Sequence, residues 1–71
     1  MSDEEYAIWL YLSGNPESAF SRREIARRAV KRVVFEENPR WVDEPLNALV
    51  ARSVVEVNED GHYHIKRGSM G

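Results

Sequence analysis

Six of the ten Lys and Arg residues in this chain fall between positions 22 and 32: Arg22, Arg23, Arg27, Arg28, Lys31 and Arg32, with Glu24 the one acid among them. Guanidinium and ammonium groups at this density are anion-binding chemistry, because they donate charge-assisted hydrogen bonds to phosphate or carboxylate oxygens. The remaining four cations face eleven carboxylates, so a chain of net charge −2 gathers its positive charge on one short element. Local field governs association with polyanions more than net charge does.

Other reactive residue types point to weaker chemistry. His62 and His64, two apart and near Glu56, superficially suggest a metal site, but no further ligand accompanies them, and solvated side chains explain them. The carboxylate pairs Glu4-Glu5, Glu36-Glu37, Asp43-Glu44 and Glu59-Asp60 fall at expected helix ends or a hairpin tip, where capping and turn formation account for them. There is no cysteine, hence no disulfide, thiolate nucleophile or Cys-based zinc site. No Gly-rich phosphate loop, Ser/His/Asp arrangement or cofactor motif occurs. The expectation is a protein that is not an enzyme, with no catalytic residue, cofactor, metal or small-molecule substrate.

The elements that position the cations follow from spacing. Ser21 and Glu24 fit an S-x-x-E capping box, which starts a helix at Arg22. Ile25, Ala26, Ala29, Val30 and Val33 recur at helical spacing as an apolar stripe, so this second helix runs to at least Lys31. The same spacing allows it to reach Glu36, although the β-branched pair Val33-Val34 opposes that extension. Arg23, Arg27, Arg28 and Lys31 then fall on the opposite face. Arg22 sits in the N-terminal turn, where a cation is unfavourable against the helix dipole.

Ser2 and Glu5 form another such box, so a first helix spans about Asp3 to Ser13, with Gly14 in a left-handed cap and Pro16 blocking continuation. Ile8, Tyr11 and Leu12 make its core face; Trp9 and Leu10 lie off that stripe and mark either a widely buried helix or a contact surface. Phe20 is placed to pin the start of the second helix. Pro45 is tolerable only in a first turn, so a third helix starts near Asp43 and ends near Arg52, with Leu46, Leu49 and Val50 inward and Trp41-Val42 stapling it.

The C-terminal part reads as a hairpin, Val54–Asn58 and His62–Lys66. A two-residue turn at Asp60-Gly61 would mix apolar and charged side chains on both faces. A three-residue loop, Glu59 to Gly61, pairs Val57 with Tyr63 and Val55 with Ile65 and leaves one face apolar, so this register is expected, with Gly61 left-handed.

Seventy-one residues make one domain, spanning 1–67, which buries only about 60% of its unfolded surface and has a stability of about 3–5 kcal/mol. Residues 68–71 read as a loose tail, native or vector-derived. The acidic N-terminus is unlike a signal peptide, and no apolar run approaches a membrane span; a cytoplasmic location is expected.

Helix, short extended piece, helix, turn, helix, hairpin is an order that resembles a winged helix-turn-helix domain. The resemblance is carried by Phe20-Ser21-Arg22-Arg23-Glu24-Ile25-Ala26, by Leu46-Asn47-Ala48-Leu49-Val50-Ala51-Arg52, and by Ser53-Val54-Val55-Glu56-Val57, Asp60-Gly61 and Tyr63-His64-Ile65. It covers about residues 5 to 67 and is specific for architecture, not for one family. It implies an α+β fold, a three-helix bundle with a C-terminal β-hairpin wing. Two departures stand out. The link between Ala29 and Leu46 is longer than a tight helix-turn-helix turn, its insertion at Arg32 to Arg40 being extra helix or loop. Ser53 stands where such domains often carry glycine.

Members of this fold that bind DNA insert the third helix in the major groove, cross the backbone with the second and touch phosphates with the wing. The resemblance then implies phosphate contacts at Arg22, Arg23, Arg27, Arg28 and Lys31, wing contacts at Lys66, Arg67 and His62, and base-edge candidates Arg40, Asn47 and Arg52. This describes a small DNA-binding domain, as in transcription regulation, binding duplex DNA weakly alone and as a dimer or beside a partner. Asp43-Glu44 and Glu36-Glu37 oppose it by repelling phosphates. The alternative is a protein-interaction or dimerisation module using Trp9, Leu10 and Trp41.

Overall fold

A computed structural model describes residues 1–66; Arg67 and the expected tail at 68–71 lie outside the described residues. The order is α1 (Asp3–Ser13), α2 (Arg22–Arg28), α3 (Arg32–Glu37), α4 (Asp43–Ala51), β1 (Val55–Val57) and β2 (Tyr63–Ile65). Among the described residues this is a small mixed α+β fold with four helices and one two-stranded antiparallel sheet. The expected three helices become four because the second divides.

Both capping boxes form. Ser2 Oγ accepts from Glu5 N–H at 3.1 Å while the Glu5 carboxylate accepts from Ser2 N–H at 3.0 Å. Ser21 and Glu24 repeat the exchange at 3.1 and 3.4 Å, so each helix start satisfies donors that would otherwise lack partners. The C-terminal end of α1 departs from expectation. Gly14 is right-handed (φ −72°, ψ −12°), and the Tyr11 carbonyl is capped by Asn15 Nδ2–H at 2.9 Å. Glycine is favoured there by close approach instead: a Cβ would stand 3.3 Å from the Leu10 carbonyl oxygen.

The second helix ends at Arg28, short of the expected Lys31. Lys31 is extended (φ −64°, ψ 152°) and precedes α3, which occupies most of the insertion. Two tertiary contacts accompany the break. Trp41 Nε1–H donates at 2.9 Å to the Ala26 carbonyl, the acceptor that Val30 N–H would use to continue the ladder. In a straight helix Phe35 would lie about 80° around the axis from Ile25; the change of direction brings it against the core. Val33, expected on the inward stripe, is 56% exposed as a result.

The core is Ile8 and Leu12 of α1, Ile25 and Ala26 of α2, Val42, Leu46 and Leu49 at α4, and Val55 of β1. Truncating Leu46 or Ile25 to Ala would cost about 2–5 kcal/mol, comparable with the stability of so small a domain. Helix α4 closes through Ser53 (φ 63°). Ser53 N–H bonds Val50 O and Val54 N–H bonds Leu49 O, each at 3.0 Å, the two bonds of a Schellman motif. Serine thus holds the left-handed position that glycine usually fills.

The strands take the expected register: Val55↔Ile65, Glu56↔His64 and Val57↔Tyr63. They are shorter than read from sequence, three residues each. Gly61 is left-handed (φ 80°), and Asn58 Oδ1 fixes the loop by accepting from Asp60 and His62 N–H at 2.9 and 3.0 Å. On the other side of β2, Phe20 bridges Tyr63, with Phe20 N–H to Tyr63 O at 2.9 Å and Tyr63 N–H to Phe20 O at 2.7 Å. That bridge seats the hairpin beside the first turn of α2.

Candidate nucleic-acid interface

The cations that are contiguous in sequence divide by what holds them. Arg22 is engaged inside the fold. Its Nη1 meets Asp43 Oδ1 at 3.1 Å, and its Nη2 donates to Asn47 Oδ1 at 2.9 Å and to the Tyr63 hydroxyl at 2.8 Å. Its Cζ lies 5.4 Å from the Tyr63 ring centroid; because Nη2 is so near the hydroxyl, the hydrogen bond outweighs any contact with the ring face. Both Arg22 and Asp43 side chains are only 35% exposed. This places Arg22, in the helical turn where a cation is locally unfavourable, under the control of α4 and β2.

The expected base-edge candidates have internal partners too. Asn47 accepts from Arg22, Arg40 Nε meets Asp43 Oδ2 at 3.1 Å, and Arg52 Nη2 meets Glu5 Oε1 at 2.9 Å. Hydrogen bonding from Arg40 first, and from Arg22 next, holds the Asp43 carboxyl below its ordinary range against the opposing effect of desolvation. The Glu5 carboxyl is likewise lowered, chiefly by the Ser2 backbone N–H and then by Arg52. Arg32 pairs with Glu36 at 2.7 Å, but at 90% and 57% exposure such a pair is worth a few tenths of a kcal/mol and exchanges readily.

Arg23, Arg27, Arg28 and Lys31 are exposed and form no ion pair among the described residues. Lys66, at the end of the hairpin, is exposed as well. No family model, curated protein or solved structure matches this chain. What the surface can do follows from its chemistry.

The free cations do not form the single ridge that one long helix would give. Arg23 borders a groove beside Phe35 and Arg40, Arg27 borders a second beside Arg32, and Arg28 borders a third against Tyr6 and Leu10 of α1. Lys31 lies in the extended link. The hairpin histidines are half-buried, His64 opposite Glu56 with Nδ1 3.0 Å from the Ile65 carbonyl oxygen. Among the described residues no three His, Cys, Asp or Glu are grouped to hold a metal ion, and no helix is long and apolar enough to cross a membrane.

The residues proposed for protein contact also separate. Trp41 is half-buried, packed on the core and hydrogen-bonded to α2. Trp9 stacks near Tyr6 with ring centroids 6.0 Å apart, while Tyr6 and Leu10 are about half exposed. Two residues central to this surface escape sequence reasoning, Tyr63 as the partner of Arg22 and Phe35 as the wall shared by two grooves. The signal for the first was the cation at a helix N-terminal turn, a local rule broken for a tertiary reason; no sequence signal marked the second.

Proposed function

We propose that this chain is a winged helix-turn-helix domain that contacts the phosphates of duplex DNA, as a regulatory DNA-binding domain would, through Arg23, Arg27, Arg28 and Lys31. The observation that carries the reading is the contrast between these four free cations and Arg22 and Arg52, which the protein's own carboxylates hold. The hairpin seated by the Phe20–Tyr63 bridge occupies the place of a wing, where Lys66 supplies a further phosphate contact. With Asn47 and Arg52 engaged and Arg40 tied through Nε alone, the contact is to backbone more than to base edges, and its affinity is weak and tolerant of sequence. A titration of random duplex DNA followed by fluorescence anisotropy tests it. Binding that disappears in the Arg27→Glu/Lys31→Glu variant supports the reading, and unchanged binding removes α2 from the site.

The second reading is a protein-interaction or dimerisation module acting through α1. It is favoured by Tyr6 and Leu10, 52% and 49% exposed on a helix apolar around most of its circumference, which is unusual for a helix facing water alone. Amide shifts that depend on protein concentration and centre on Tyr6, Trp9 and Leu10, without any response to duplex, would favour it.

A further inference from the structure

Two grooves meet at Phe35. The first, of about 560 Å³, is lined by the apolar Ala26, Phe35, Pro39 and Val42, by Arg22, Arg23 and Arg40, and by one carboxylate, Asp43, which Arg22 and Arg40 neutralise. The second, of about 470 Å³, is lined by Arg27, Arg32, Phe35 and Glu36. Both volumes fall within the range of about 300–1,000 Å³ common to ligand clefts. Arg23 and Arg27 are one helical turn apart on α2, so the grooves lie side by side along that helix.

The polar edge is supplied with donors. Arg23 and Arg27 have no hydrogen bond or ion pair among the described residues. Arg40 engages only Nε with Asp43, and Arg32 only Nε with Glu36. Both therefore keep the N–H groups of their terminal nitrogens for an incoming anion. Phosphates alone would use this edge and leave the Phe35, Pro39 and Val42 floor without a partner. An apolar ligand alone would leave the guanidinium groups unused. A carboxylate-rich segment with apolar side chains complements both.

We infer that the α2–α3 face binds an acidic amphipathic segment of a partner protein. One apolar side chain seats among Ala26, Phe35, Pro39 and Val42, a second one helical turn away packs on the Phe35 ring where the next groove begins, and flanking carboxylates meet Arg23, Arg27 and Arg40. This is helix-in-groove recognition with charge complementarity at its margin. It does not rest on the duplex reading, but it shares Arg23 and Arg27 with it, so the segment and duplex DNA exclude one another.

The test uses the full chain and two short synthetic helical peptides of equal charge. One carries Leu at i and i+4 among Glu residues; the other has Ser at those positions. The Leu peptide is expected to shift the amides of Ala26, Phe35 and Val42, to bind roughly tenfold or more tightly than the Ser peptide, and to displace labelled random duplex. Phe35→Ala should abolish the preference for Leu while leaving any duplex binding unchanged. Should Phe35→Ala unfold α3, the exposed Arg40→Glu variant serves instead and should weaken the Leu peptide by a similar factor. Equal affinity for both peptides, shifts centred on Tyr6 and Leu10, or the absence of shifts at Phe35 would overturn the inference. So would duplex DNA, and not the Leu peptide, perturbing the floor residues.

Discussion

The phenol of Tyr63 on β2 accepts a 2.8 Å hydrogen bond from Arg22 on the first turn of α2. Together with the backbone bridge from Phe20 to Tyr63, it fixes the hairpin to the helical layer through polar contacts. Replacing Tyr63 by Phe keeps the ring and removes the acceptor. The expected loss is about 1 kcal/mol, read as a lower urea midpoint and as faster amide exchange in β2, with duplex affinity unchanged.

Arg22 and Arg23 are adjacent yet differ in role. Arg22→Ala should lower thermal stability, because it removes the donor to Asn47 and Tyr63 and leaves Asp43 with Arg40 as its one guanidinium partner. Arg23→Ala should leave stability within about 0.5 kcal/mol of wild type and weaken duplex binding. Anisotropy beside a melting curve separates the two. If stability fell equally in both, the division into held and free cations would be wrong.

In the proposed duplex complex, three to five phosphate contacts from the free cations and Lys66 would give a log–log salt dependence with a slope of about −3 to −5. A slope near zero would mean that association is not driven by phosphate neutralisation. Adding Arg22→Ala to a folded background should leave the slope unaltered, and Arg23→Ala should reduce it by about one unit.

Ser53 adopts φ 63° to close α4. Ser53→Gly relieves a left-handed side-chain conformation without altering either Schellman bond, and the expected gain is about 1 kcal/mol after the greater freedom of glycine in the unfolded chain is set against it. For a domain of this size the midpoint of thermal unfolding should rise by about 4–8 °C. An unchanged or lower midpoint would show that the serine side chain has a compensating contact.

Asp43 and Glu5 both have carboxyls lowered on folding from ordinary values of 3.8 and 4.5. Their stabilisation is complete above those values and is lost as pH falls through the lower folded ones. Urea midpoints should therefore hold steady from neutral pH to about pH 5 and decline below about pH 4. Asp43→Asn should be less stable at neutral pH and show a shallower acid decline. An identical acid profile in that variant would exclude Asp43 from the transition.

The local signals in the sequence were those whose causes are local. Ser2 with Glu5 and Ser21 with Glu24 set two helix starts because a capping box needs only neighbours. The hairpin register followed from the requirement that Val55, Val57, Tyr63 and Ile65 share a face. The end of α2 is illegible in the sequence because the contacts found there are tertiary, among them an indole fifteen residues from the carbonyl it meets. The site was legible as a cluster of charge but not as its division, since whether Arg22 faces solvent or Asp43 depends on how α4 crosses α2. Gly14 was misread for the opposite reason: a frequent cap conformation was expected where Asn15 closes the helix by another route.

The longer helix that spacing allows is not the conformation the fold adopts. The chain turns between Arg28 and Arg32, so Lys31 leaves the face of Arg23 and Arg27, and Phe35 becomes a wall of the grooves beside them. Trp41, in the segment that precedes α4, ties that segment to α2 through the Ala26 carbonyl, and the outline of the cationic surface follows from where the two are joined.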